Sequence, residues 1–389
     1  MFYDVRRFIE RNLPPIGVLA VVILGLVFAA QISQPPSQRG VPRTGEIAPP
    51  AWRSLPPATQ PLQRIGFGSC FRQDLPAPIW TAIAKAKPEL FLMMGDNVYG
   101  DVRSPDLREL IGAYKMLAAH KDFRPVVTAL PFLATWDDHD YGANDGGADF
   151  VHRAASLELF KNFWKGSGTV AAAAAGDGVQ NAHIFGPVGQ RIQIILLDTR
   201  SFRSPLKRRP RGVPGKGKYL PDDTPSKTML GDAQWQWLAA ELKKPAELRL
   251  LVSSIQVIAD GHGFERWGNL PRERQKLFDT IRASGANGVV LLSGDRHRAA
   301  IYEHLRAIDY PLYEVTSSAL NLSFDDPAEV GPHQLHRMYG RNNFGMVTID
   351  WSAKRVALTI RDQNGGPVRE QVIDLGLMLP RVVPSAKGR

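Results

Sequence analysis

The side chains able to do chemistry in this chain are Cys70, Asp96, Tyr99, Asp137, Asp138, His139, Asp140, Asp295 and His297. Several carboxylates crowded into one pocket repel one another and hold on to their protons. Divalent or trivalent cations remove that conflict. A carboxylate on a tight turn can bridge two ions, and Asp96, directly after Gly95, is best placed for it. Two ions roughly 3.5–4 Å apart can clamp a phosphate ester and deprotonate a bound water. The donors divide into two kinds. A Cys70 thiolate, Tyr99 phenolate and His297 imidazole suit a strongly Lewis-acidic or softer transition metal. A phenol ionises unaided only near a pH of about 10, so Tyr99 points to a potent cation such as iron(III). Asp138 and Asp295 offer oxygen alone, which suits calcium, magnesium or manganese.

Such residues meet only if strand ends bring them together. Leu90 to Met94 is a short, continuous apolar run followed by Gly95-Asp96, which reads as a buried strand with the carboxylate just past its C-terminal end. In α/β proteins that edge is where ligands bind. The pattern recurs. Arg64 to Gly68 leads into Ser69-Cys70, Pro131 to Trp136 into Asp137-Asp138-His139-Asp140, and Gly288 to Ser293 into Gly294-Asp295-Arg296-His297. Further strands are expected at Arg191 to Leu197, Leu248 to Ile255, Tyr313 to Ser317, Phe344 to Asp350 and Val356 to Arg361. Helical spacing predicts helices over Pro78 to Lys87, through Leu157, Phe160 and Trp164, and over Leu270 to Ala283. Two more are expected from their starts: Ser104 as N-cap with Pro105 behind it, running to Ala119, and Asp232 capping Trp235, Leu238 and Leu242. The alternation predicts an α/β domain, and the β-rich later part suggests two sheets in a sandwich.

Charge is unevenly placed. The net charge is +10, yet Arg200, Arg203, Lys207, Arg208, Arg209, Arg211, Lys216 and Lys218 supply 8 of those 10 with no acid among them. The rest is near neutral, which argues against a nucleic-acid-binding surface over the whole molecule and for one local basic loop. Its glycines, Gly212, Gly215 and Gly217, predict a mobile loop that either draws in anionic substrate or is plain solvated surface. Asp198 is expected to anchor a turn or pair with Arg200. The lone cysteine, Cys70, cannot form an internal disulfide.

Arg6, Arg7 and Arg11 precede an apolar stretch from Ile16 to Ala30. Residues 1–30 therefore read as a signal peptide or an N-terminal membrane anchor, with the bulk of the chain outside the cytoplasm. Residues 31–61, rich in proline and serine, read as an extended linker. The folded domain is expected over 62–378, with a tail at 379–389. Ala171 to Ala175, flanked by glycine, reads as a surface insertion.

Gly68-Ser69-Cys70, Gly95-Asp96-Asn97-Val98-Tyr99, Trp136-Asp137-Asp138-His139-Asp140 and Gly294-Asp295-Arg296-His297 together resemble the alkaline phosphatase D (PhoD-like) family, of the calcineurin-like metallophosphoesterases. Leu197-Asp198-Thr199-Arg200 and Leu230 to Trp235 also look like family segments, and the resemblance spans about Ile65 to Ser318. It implies an αββα two-sheet sandwich of the metallophosphoesterase type. It implies iron on Cys70, Asp96, Tyr99 and His297, and a second metal on Asp96, Asp138 and Asp295. His139 takes the place of the proton donor to the leaving group, and Asn144 that of a phosphate-orienting residue. The first strand carries Gly-Ser-Cys where the wider superfamily has Asp-x-His, which follows the PhoD-like pattern. The amino-terminal β-sandwich of longer members is expected to be missing, since the residues before Leu62 read as linker and leader.

The expected function is hydrolysis of phosphate monoesters of the alkaline phosphatase type, by a metal-bound hydroxide at a dinuclear or larger centre. Fe(3+) and Ca(2+) are the expected ions, with Mg(2+), Mn(2+) or Zn(2+) as alternatives at the second site. The rivals are a phosphodiesterase acting on lipid, nucleotide or wall-polymer esters, and a membrane-tethered polyanion-binding protein. The expected partners are a small phosphate ester and, if the leader is uncleaved, the membrane. No specific nucleic acid is expected, and the chain is expected to be a monomer. Its expected place is the periplasm, the cell envelope or the extracellular space.

Overall fold

The computed structural model describes residues 47–169, 178–325 and 329–380. The leader, most of the linker up to residue 46, the alanine-rich insertion and the C-terminal tail lie outside the described residues. Among the described residues no helix is long and apolar enough to cross a membrane.

The strands are β1 Arg64–Gly68, β2 Leu90–Met94, β3 Phe132–Thr135, β4 Asn181–Phe185, β5 Ile192–Leu196, β6 Leu248–Ser253, β7 Val289–Ser293, β8 Ala299–His304, β9 Leu312–Ser317, β10 Asn343–Asp350, β11 Arg355–Asp362 and β12 Pro367–Asp374. The helices are α1 Ile79–Ala86, α2 Arg108–Ala119, α3 Arg124–Val127, α4 Asp138–Tyr141, α5 Arg153–Trp164, α6 Gly231–Leu242 and α7 Pro271–Ser284. Two six-stranded sheets form, in the orders β12-β11-β10-β1-β2-β3 and β4-β5-β6-β7-β9-β8.

The apolar runs split by alternation. Leu90, Leu92 and Met94 of β2 join a core that also holds Ile194, Leu250 and Leu291 of the other sheet. Phe91 and Met93 turn the other way, onto Trp80 and Ile83 of α1 and Tyr114 of α2. Successive side chains on a strand point to opposite faces, so one strand serves both layers. This is the expected α/β sandwich with helices outside. β1, β2 and β3 run parallel, as do β5, β6 and β7, so each set presents its C-terminal ends together.

Several local expectations change. α2 starts at Arg108 behind Leu107, which is left-handed at φ 54°, and Ser104 does not cap it. Leu107 N instead donates to Ser104 O at 3.0 Å, closing a turn before the helix begins. Asp232 lies inside the first turn of α6, behind Leu230, with no side-chain cap. The segment read as linker packs on the domain where it is described. The Trp52 ring stacks 4.7 Å from Trp164, and its Nε1 donates to Phe163 O at 3.1 Å.

Candidate metal centre

The sequence expectation that the chemistry meets at strand ends holds in the geometry. Cys70 follows β1, Asp96 follows β2, Asp138 opens α4 after β3, and Asp295 follows β7. The backbone is strained at these very residues. Cys70, Asp96, Asp295 and His297 are left-handed, with φ of 57°, 49°, 69° and 53°. That region costs a non-glycine residue roughly 1–2 kcal/mol, and such strain gathers where function requires it. Gly95, at φ 102°, lets the turns after β2 and β3 touch: a Cβ there would stand 2.5 Å from Asp137 Cβ.

Cys70, Asp96 and His297 each bring one ligand atom within 4.8 Å of the others. The Cys70 thiol donates to Asp96 Oδ2 at 3.4 Å. Tyr99 Oη stands 3.3 Å from both Asp96 Oδ2 and His297 Nε2, so all four expected ligands converge. His297 Nδ1 lies 2.9 Å from Leu322 O, which fixes the ring and leaves Nε2 facing the cluster. This is the carbonyl-backed arrangement common to histidines that ligate metals.

Asp96, Asp138 and His139 form a second such group. His139 Nδ1 lies 3.0 Å from both oxygens of Asp101. Asp140 points away from ligand duty. It accepts from the N–H groups of Asp137, Asp96 and Asn97 at 2.6, 3.2 and 3.3 Å and so pins the two turns together. A third group, Asp138 with Asp145 and Glu265, was not expected from the sequence. Asp145 N donates to Asp138 Oδ2 at 2.7 Å. Asp295 belongs to none of the three tight groups, although the Asp138 charge acts on it. Asn144 is exposed in the turn after α4.

Arg200 and Arg203 do not belong to the exposed basic loop. Both are buried, and they neutralise acids. Arg200 Nε donates to Asp137 Oδ1 at 2.6 Å, and its Nη1 lies 2.7 Å from Glu265 Oε2. Arg203 Nη2 reaches Glu265 Oε1 at 3.0 Å. Asp198 anchors its turn, accepting from Arg200 N and Ser201 N at 2.9 Å each and from Trp136 Nε1 at 2.9 Å. Asp101, Asp145 and Glu265 were missed. Asp101 sits in the same turn as Tyr99, which is a local clue; Glu265 carries none.

The electrostatics are those of anions lacking a counter-charge. Burial, then the Asp96 charge, pushes the Cys70 thiol up. Burial pushes Asp96 up, with the Asp138 charge adding to it, and burial followed by the Asp96 charge lifts Tyr99. Burial raises Asp295 to about 7 against the pull of Arg296. It raises Asp140 to about 8 and lowers His297 to about 4. Burial also pushes Asp138 up, but the charges of His139 and Arg200 outweigh it and hold the group below its usual range. His139 is pulled down by burial, yet Asp138, Asp96 and Asp101 together drive it to about 11.

The residues fit metal ions. Asp138 Oδ1 and Asp295 Oδ2 are buried and accept no hydrogen bond, although Arg296 Nη1 stands 3.6 Å from the latter; Asp138 Oδ1 is the clearer orphan. Buried carboxylate oxygens without donors are costly unless a cation meets them. The first group adds sulfur, phenol and imidazole donors, and the Asp138 side offers carboxylates, with Asp145 and Glu265 rather than Asp295 in its tight group.

Residues 174–356 match the family model described as PhoD-like phosphatase. That span holds Asp295 and His297; Cys70, Asp96, Tyr99, Asp138 and His139 precede it. The chain is 25% identical over 284 residues to alkaline phosphatase D of Bacillus subtilis (strain 168), covering 62% of this chain and 47% of that protein. It thus spans about half the length of that curated relative. A structure described as PhoD superposes with a TM-score of 0.64 at 16% identity, covering 87% of this chain and 74% of that one. Purple acid phosphatase PPD1 from yellow lupin (Lupinus luteus) seeds gives a TM-score of 0.53 at 9% identity, covering 82% and 55%. At those identities the two structures speak for the fold, which is of the metallophosphoesterase type. The resemblance first read from the motifs therefore extends to a match with the PhoD-like phosphatase family model over residues 174–356 and to a shared fold.

Proposed function

We propose that the chain hydrolyses phosphate esters at a metal centre held by Cys70, Asp96, Tyr99 and His297 on one side and by Asp96, Asp138 and Asp295 on the other. Iron(III) suits the first set and calcium the second; magnesium, manganese or zinc are the alternatives there. The observation that carries this reading is the convergence of Tyr99 Oη, 3.3 Å from Asp96 Oδ2 and from His297 Nε2, beside the Cys70 thiol. When bound, the ions supply positive charge for phosphate oxygens and the acidity that ionises a water near neutral pH.

The chain's own part is positional. Asp101 occupies His139 Nδ1, so Nε2 is the nitrogen left to carry a transferable proton. In the metal-free protein Asp138, Asp96 and Asp101 raise His139 to about 11; with ions on Asp96 and Asp138, the Asp101 carboxylate is what is left to favour its protonated form. As water oxygen bonds to phosphorus, the bond to the ester oxygen breaks and His139 gives that oxygen its proton. The products are phosphate and an alcohol. Phosphomonoesters are the proposed substrates, and the apolar leader behind Arg6, Arg7 and Arg11 is proposed to export the chain.

The test is purified protein assayed against p-nitrophenyl phosphate and bis(p-nitrophenyl) phosphate, before and after chelation, with metal analysis of the same samples. Monoester turnover that vanishes with the metal and returns on reloading is the expected result. Faster diester turnover would move the assignment to a phosphodiesterase. Undiminished turnover in metal-free protein would overturn the reading.

A further inference from the structure

The basic segment 207–218 is tied to the site. Arg209 N donates to Lys218 O at 2.8 Å and Leu220 N to Lys207 O at 2.9 Å, so 207–209 and 218–220 form two paired legs. Arg208 lies opposite Tyr219 in that pairing. At the base of the hairpin, Tyr219 Oη donates to Asp145 Oδ2 at 2.8 Å and Lys218 Nζ reaches the same oxygen at 3.0 Å. Asp145 N in turn holds Asp138, the candidate ligand, at 2.7 Å. One residue therefore separates the hairpin from the metal centre.

The tip is built rather than loose. Arg209 turns its guanidinium inward onto Pro214 O at 2.7 Å, Lys216 O at 3.1 Å and Gly217 O at 3.2 Å. Tyr219 N donates to Gly263 O at 2.8 Å. Gly263 must be glycine for this docking, because a Cβ there would run into the Lys216 carbonyl. The earlier expectation of a mobile loop thus meets a hairpin fastened at its base, along its legs and across its tip. Arg209 and Lys218 are consumed in that fastening. Lys207, Arg208, Arg211 and Lys216 are exposed and have no carboxylate partner among the described residues. Four cations on a pre-ordered hairpin lose little loop freedom on binding, which is what separates a subsite from a diffuse field.

We propose that this hairpin is a second anion subsite, and that the preferred substrates carry another phosphate beyond the one hydrolysed. This deepens the phosphoesterase reading and rests on it for the reacting group. Arg208 and Arg211 offer planar forks that match phosphate oxygens, while Lys207 and Lys216 act as point charges. A subsite differs from long-range steering in its salt response. Steering between exposed charges fades beyond a Debye length of about 8 Å at physiological salt, whereas direct contacts with bound phosphate persist.

The experiment compares a hexose monophosphate with the matching hexose bisphosphate, neither of which strips metal strongly. Native protein and Lys207→Gln/Arg208→Gln/Arg211→Gln/Lys216→Gln are assayed at low and physiological salt. The subsite predicts a kcat/KM preference for the bisphosphate of about tenfold in native protein, still present at physiological salt, and largely lost in the variant. Equal turnover of both compounds, or a preference that disappears at physiological salt, would overturn it while leaving the phosphoesterase reading in place. Calorimetric binding of both compounds runs alongside. Tighter bisphosphate binding that the variant loses would support the subsite even if neither compound were hydrolysed, in which case the phosphoesterase reading alone would fail. Equal binding by native protein and variant would count against the subsite.

Discussion

His139 presents Nδ1 to both carboxylate oxygens of Asp101, 3.0 Å from each. The pair fixes the imidazole against rotation and adds negative charge behind it. Asp101 is thus a positioning residue for the proposed proton donor. Asp101→Asn should lower kcat by about tenfold, against the roughly 10²-fold or greater loss expected for His139→Ala. A carboxylate that raises the His139 pKa is being removed, so the imidazole should lose its proton at lower pH. The high-pH limb of the kcat profile should therefore move to lower pH in Asp101→Asn. A lower kcat with an unmoved limb would mean that Asp101 serves structure alone.

Arg200 is the buried cation between Asp137 and Glu265. Replacing it with methionine keeps much of the volume but leaves Asp137 without its cation and Glu265 with Arg203 alone. Breaking such a pair costs about 3–5 kcal/mol, far more than a surface pair. Urea unfolding of Arg200→Met should show that loss in the midpoint. A change under about 1 kcal/mol would mean the acids find other partners or take up protons at little cost.

Metal removal should make stability depend on pH with a definite sign. Asp295 at about 7, Asp140 at about 8 and His139 at about 11 all sit above their unfolded values. Above neutrality the folded metal-free protein therefore binds more protons than the unfolded chain, and stability falls as pH rises. His297, lowered to about 4, is neutral in the folded protein, and its unfolded-state protonation opposes the trend only weakly, near the acid end of the range. Between pH values of about 6.5 and 8.5, chelated protein should lose on the order of 5 kcal/mol, and reloading with metal should flatten the slope. Melting curves at both pH values check this. Metal-free protein that gains stability over the same range would contradict it.

The sequence made the site's centre legible because each proposed ligand stands in a short motif just past an apolar run. Cys70, Asp96, Asp138, Asp295 and their strands could be placed without long-range information. What stayed hidden depends on contacts far apart in the chain. Glu265 becomes important only when β6 sits beside β5 and brings it to Arg200. The strands that escaped notice, β4, β8 and β12, are all sheet edges. Edge strands face solvent on one side and carry polar residues, as Glu303 and His304 in β8 and Arg369, Glu370 and Gln371 in β12 show, so the apolar run is diluted. The helix starts at Ser104 and Asp232 misled because capping residues also make turns, and at Ser104 the turn won.

The most direct test of the account is the fate of iron and of the Cys70 thiol in one preparation. Purified native protein is analysed for metals, then treated with a thiol reagent before and after gentle chelation that leaves it folded, with Cys70→Ala beside it. The account predicts bound iron, colour from thiolate and phenolate charge transfer, a protected thiol that becomes reactive once metal leaves, and loss of iron in Cys70→Ala. Burial alone also slows the thiol reaction, so the gain on chelation is the deciding signal. A colourless, iron-free and fully active protein whose Cys70 stays unreactive throughout would contradict it.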